Sequence, residues 1–148
     1  MADLDNYDFD DIEELQRNPT LEAEGVEVEI PAAADGTPRF LHLRAATDAN
    51  PQWRANAEKM LNEVNRLRNA RASAERIREF QARNYSRFLI KDWKGVKVKG
   101  NEIPYSPDAG FAFLMKAYDI FTIVEGYVTD TRNFRAERNR VVVGEVKN

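Results

Sequence analysis

Few residues of this chain have the type and spacing to do covalent chemistry. His42 is the single histidine, and there is no cysteine. A histidine acting as general base needs a nucleophile and an orienting carboxylate, and as a metal ligand it needs companions. His42 stands in the alternating stretch Phe40-Leu41-His42-Leu43-Arg44 with no such neighbour, which predicts a structural role. Asp8, Asp10 and Asp11 have part of the spacing of a calcium loop, but the central glycine and the terminal bidentate glutamate are missing. The absence of cysteine removes disulfides, thiolate metal sites and thiol nucleophiles. No glycine-rich phosphate loop, metal-ligand cluster or nucleophile–base pair emerges. The expectation is a protein that binds rather than catalyses, without a cofactor.

Charge is the stronger signal. Residues 1–30 hold eleven acids and one base, Arg17, for a net of −10; the remainder, with 21 bases and 14 acids, carries +7 against the chain's total of −3. Such asymmetry predicts an interacting tail or an internal electrostatic match. Tyr7, Phe9, Ile12 and Leu15 punctuate the acidic segment, and Phe9, Ile12 and Leu15–Gln16 could face one side of a short helix ending before Asn18-Pro19, either a solvated terminus or a docking segment for a partner or neighbouring subunit. The counter-charge is densest between Arg66 and Lys99, where Arg66, Arg71, Arg76, Arg83 and Arg87 are the candidate basic face. Clustered arginine and lysine suffice for phosphate affinity. A pI near 5.3, the lack of a nucleic-acid-reading motif and an acidic arm able to cover the same face argue against nucleic acid.

The elements that must position these residues follow from periodicity. Glu24 to Ile30 alternates charged and β-branched residues, and with Phe40–Arg44 beyond a Pro- and Gly-containing loop it predicts an antiparallel hairpin. Asn50-Pro51 is a helix start, and Trp53, Ala57, Met60, Leu61, Val64 and Leu67 share a helical face. Residues 69–73 break that helix, and Ser73 caps a second one carrying Ile77, Phe80, Asn84 and Phe88. Beyond it come a corner at Trp93, a small hairpin turning at Gly100-Asn101, and a helix capped by Ser106 with Pro107 at its first position. Phe111, Leu114, Met115 and Tyr118 form an apolar stripe; Asp119 either caps a new helix or lies within a continuous one. The fold expected is mainly α, a small helical bundle with an N-terminal β-hairpin and a short central hairpin. Its organisation would be an acidic flexible arm over residues 1–20, a single helical domain over 21–140 and a mobile tail over 141–148. No run is apolar enough to cross a bilayer, and the acidic start lacks the basic region of a signal peptide, so a cytoplasmic protein is expected.

The run Leu89-Ile90-Lys91-Asp92-Trp93-Lys94-Gly95-Val96, followed by Gly100-Asn101-Glu102-Ile103-Pro104-Tyr105-Ser106-Pro107-Asp108 and an apolar helix, resembles the tail assembly chaperones of long-tailed bacteriophages. The likeness extends back through Asn50-Pro51-Gln52-Trp53 to Arg39–Arg44 and covers roughly residues 38–140; the acidic segment contributes nothing to it. The resemblance implies a protein used while a tail is built and absent from the finished particle. It would bind the long helical tape-measure protein in the host cytoplasm, keep it soluble and help recruit tail-tube subunits, with self-association bringing many copies to one client. Trp93, Gly95, Tyr105, Phe111, Leu114, Met115 and Tyr118 are the residues expected to form the client groove. A structural virion protein of neck or tail is the rival reading, and a nucleic-acid-binding protein the next.

Overall fold

Alternation of β-branched and charged residues does produce strands over Val26–Ile30 (β1) and Arg39–Leu43 (β2), paired antiparallel with Val28 opposite Leu41. The computed structural model describes residues 4–135 and 140–141. Val26, Val28, Ile30, Leu41 and Leu43 are all enclosed, whereas Glu27, Glu29 and His42 lie on the more open face. His42 Nε2 donates to the Glu24 carbonyl at 2.8 Å. Its ring packs so tightly on Gly25, at φ 94°, that any side chain there would collide with it.

The mainly helical bundle is not what forms. Ile90–Lys94 (β3) is a third strand, antiparallel to β2, and Arg140–Val141 (β6) lies parallel beside β1, giving the order β3-β2-β1-β6. The protein is mixed α/β, with five α-helices among the described residues. The expected corner at Trp93 conceals a strand because the β2–β3 ladder shifts register between His42 and Leu43, so that Leu41 faces Trp93 while Leu43 faces Ile90. The bulge leaves the two buried residues of β3 three apart, a spacing that in sequence reads as helical. Val141 thereby has a neighbour; the rest of the tail expected over 141–148 lies outside the described residues.

A further short helix, Pro19–Glu24 (α1), starts within the stretch read as arm. Asn18 accepts from the Leu21 N–H at 3.1 Å and Pro19 takes the first helical position, the same device as at Asn50-Pro51. Over Phe9–Gln16, where a docking helix is expected, there is a single 3-10 turn, Glu13–Leu15; another, Leu4–Asn6, precedes it. A segment this short and acidic has no packed face to hold an α-helix.

Pro51–Asn69 (α2) and Ala74–Phe88 (α3) form the helical hairpin, capped by Asn50 and Ser73. Lys97–Val98 (β4) and Asn101–Glu102 (β5) form the central hairpin, but its turn is Lys99-Gly100, at φ 51° and 86°, one residue earlier than expected. Pro107–Lys116 (α4) is capped by Ser106, and Tyr118–Val128 (α5) follows after a break at Ala117. Asp119 is therefore in the first turn of α5 and is not its cap. The break lets Leu114 on one side and Ile120, Phe121 and Val124 on the other enter one core with the sheet, Tyr85, Leu89 and Phe134. Among the described residues no helix is long and apolar enough to cross a membrane.

Candidate partner-binding site

The helical hairpin is anchored at one end. Asn50 is buried; it accepts from the Trp53 N–H at 3.4 Å, and its amide donates to the carbonyls of Ala45 and Phe88, each at 3.1 Å. Three bonds from one side chain thus fix the foot of α2 to the sheet and to the end of α3. Beyond that foot, α3 packs closely along α4, whereas α2 has α3 as its principal neighbour. The outer face of α2 is left open along a helix about 28 Å long.

Two grooves run beside the α2–α3 seam, and Met60, Phe80 and Asn84 line both. The first, of about 350 Å³, is mostly apolar: Trp53, Ala57, Leu61 and Val64 from α2 face Gln81 and Tyr85 from α3, and Arg68 also lines it. Leu61 is 60% exposed although it belongs to the apolar stripe. The Tyr85 ring stacks on Phe121 at 5.5 Å and lies 6.1 Å from Trp53, and its hydroxyl donates to Glu125 at 2.9 Å. Burial first, then the Glu125 charge, pushes the phenol above its ordinary range, so it remains a protonated donor and a fixed wall.

The second groove, of about 520 Å³, has a different chemistry. Lys59, Arg66 and Arg87 line it with Phe80 and Phe88, against one carboxylate, Glu63. Arg66 binds Glu63 through two contacts of 2.6 and 2.8 Å and holds it below the usual carboxylate range. Among the described residues, neither Lys59 nor Arg87 has a carboxylate partner.

The five arginines of the expected basic face are therefore divided. Arg66 and Arg87 meet in this groove; Arg71 occupies the α2–α3 turn at φ 59°; Arg76 pairs with Glu79 at 3.3 Å; Arg83 lies 3.8 Å over the Phe111 ring and 3.9 Å from Asp108. Of the seven residues expected to form the client groove, Trp93, Tyr105, Phe111, Leu114 and Met115 belong to the core or pack against it. Trp93 and Leu114 are buried, and Gly95 is enclosed at φ 79° with the Pro38 carbonyl against it. The Trp93 indole donates to the Ile103 carbonyl at 2.9 Å and meets Tyr105 and Phe113 edge-on at 4.9 and 5.5 Å. Tyr105 donates to the Ser86 carbonyl, and its ring fills the space above Gly110. Phe111 and Met115 are half-buried; Tyr118 is exposed, with the Arg78 guanidinium 5.1 Å from its ring centre. In the arm, Tyr7 stacks on Phe9 at 6.0 Å, Ile12 is half-buried and Leu15 is exposed.

Sequence reasoning counted Arg78 only as one charge of the basic run; its guanidinium also donates to the Met115 carbonyl at 3.2 Å and pins α3 to the end of α4. Glu22 was likewise counted only as a charge; it is fully enclosed, bonded to Arg17 at 2.5 and 3.0 Å and to the Thr47 hydroxyl at 2.7 Å. One glutamate among eleven acids carries no signal of burial. The adjacent pair Met60-Leu61 widens the apolar stripe of α2, and the structure buries Met60 while leaving Leu61 exposed.

Among the described residues no three His, Cys, Asp or Glu side chains are grouped to hold a metal ion. The arrangement is that of an α/β protein presenting a grooved helical hairpin. Residues 48–145 match the family model described as YdaY prophage protein, and the chain belongs to that family; it is a phage-derived protein. The matched span begins just before α2 and contains both grooves. No curated protein and no solved structure matches the chain.

Proposed function

We propose that this prophage protein is a tail assembly chaperone, and that the apolar α2–α3 groove holds one face of a tape-measure helix in the host cytoplasm. The observation that carries the reading is the open apolar stripe of α2, with Leu61 60% exposed above a groove walled by Trp53 and Tyr85. Membership of a prophage family and the likeness of residues 38–140 to phage tail chaperones supply the client class. A client helix would present apolar anchors three and four residues apart, the helix-in-groove mode. Each fully buried aliphatic or aromatic anchor contributes about 1.5–3 kcal/mol before the cost of association. A groove this small admits few anchors, so single contacts are weak and coverage comes from many copies along one client. Recruitment of tail-tube subunits belongs to the same reading as a second partner surface.

The test is co-expression with the tape-measure protein of the same prophage. The wild-type chain keeps that client in the soluble fraction and co-purifies with it. Leu61→Lys, at an exposed position, folds normally and loses both effects. A client equally soluble with the variant, or insoluble with the wild type, overturns the proposal. The virion-component reading is separated by assaying purified particles, from which a chaperone is absent.

A further inference from the structure

We propose that the basic groove of Lys59, Arg66 and Arg87 receives the acidic N-terminal arm of a second copy of this chain. The client reading uses the neighbouring groove, which shares Met60, Phe80 and Asn84 with this one.

The arm has the composition of a ligand. Between residues 4 and 16 it carries Asp5, Asp8, Asp10, Asp11, Glu13 and Glu14 and no base. Embedded in that charge are two stacked rings, Tyr7 and Phe9, 62% and 63% exposed. Exposed aromatics on a highly charged segment form a compact apolar unit without a surface to cover it. The groove offers the complement: Lys59 and Arg87 beside the Arg66–Glu63 pair, with the Phe80 and Phe88 rings among its lining. Rings entering it would meet aromatic surface and the faces of arginine guanidinium groups, while the flanking carboxylates meet the cations.

The occupant is a second copy, because in the monomer the arm's rings stand in solvent and no arm residue lines the groove. The arm departs from a fixed point, Arg17, held to Glu22 and Asp48 beside the foot of α2. Every copy thus carries one arm and one groove at set positions. Reciprocal exchange closes a two-fold dimer with two arm–groove contacts, so individually weak contacts reinforce each other.

Sedimentation velocity on the full chain tests this with charge-reversed variants. One reverses the arm (Asp5→Lys, Asp8→Lys, Asp10→Lys, Glu13→Lys, Glu14→Lys, leaving Asp11 as its one acid) and another the groove (Lys59→Glu, Arg66→Glu, Arg87→Glu). The wild type dimerises, more weakly as salt rises and the Debye length shrinks. Each variant alone dimerises about tenfold more weakly or worse. An equimolar mixture recovers a heterodimer, because each arm then finds a groove of opposite sign. Phe9→Ser, confined to the exposed arm, weakens dimerisation without touching the folded body. A wild type that stays monomeric up to about 100 µM, well above the affinity of a specific interface, overturns the proposal. So does dimerisation indifferent to these reversals, or a mixture that fails to recover it.

Discussion

Replacing Trp93 by alanine removes a side chain that is 6% exposed and joins three parts of the fold. The indole is on β3, its N–H reaches the carbonyl of Ile103 after the central hairpin, and its ring edges meet Tyr105 and, on α4, Phe113. Truncating a buried aromatic costs about 3–5 kcal/mol through lost burial and the cavity left behind. Within that range, two edge-to-face ring pairs contribute about 0.5–1.5 kcal/mol each. The abandoned Ile103 carbonyl adds about 1–3 kcal/mol unless water reaches it. A domain of this size has on the order of 5–15 kcal/mol in total, so Trp93→Ala should lose roughly a third of it. Trp93→Phe keeps most of the ring and forfeits the hydrogen bond, for a loss nearer 1–2 kcal/mol. Urea denaturation followed by circular dichroism measures both. A Trp93→Ala protein within about 1 kcal/mol of wild type would refute the assignment of Trp93 as a packing anchor.

Glu22 makes stability depend on acid. The hydrogen bond from Arg17, helped by that from Thr47, holds its carboxyl below the usual glutamate range despite burial. The unfolded chain then takes up the proton first, so this contribution is complete above the ordinary glutamate pKa and declines as pH falls from about 5; Glu22→Gln should flatten that part of a melting-temperature profile, which thermal scans at several pH values will check. Gly95→Ala should be strongly destabilising, because a Cβ there would sit 2.1 Å from the Pro38 carbonyl oxygen at φ 79°; positive φ alone costs about 1–3 kcal/mol, and a variant melting like wild type contradicts the geometry.

Local signals in the sequence were reliable where one residue determines the outcome. Asn50, Ser73 and Ser106 each cap a helix through the side-chain bond that their type predicts. The hairpin of β1 and β2 followed from simple alternation. What failed depended on a partner distant in sequence. β3 is a strand only because β2 is beside it, and the bulge that fits Trp93 and Ile90 to one face erased its alternation. The basic run Arg66–Lys99 looked like one face because charge was counted along the chain. Folding sends Arg83 to Phe111, Arg76 to Glu79 and Arg66 with Arg87 to a groove. The candidate client residues were taken from the Trp93 corner and the apolar helix after it, and apolarity does not distinguish core from groove: Trp93 and Leu114 are buried, whereas Tyr118 among those candidates, and Leu61 on α2, are exposed.

The client groove can be observed directly, since Trp53 lines it and Trp93 is the second of only two tryptophans. In a Trp93→Phe background, Trp53 emission is the reporter. Titration with a soluble helical segment of the prophage's tape-measure protein should shift that emission to the blue and saturate, as a half-exposed indole is covered. Adding Leu61→Lys should abolish the response. Binding of the segment with Trp53 emission unchanged would place the client elsewhere and contradict the account.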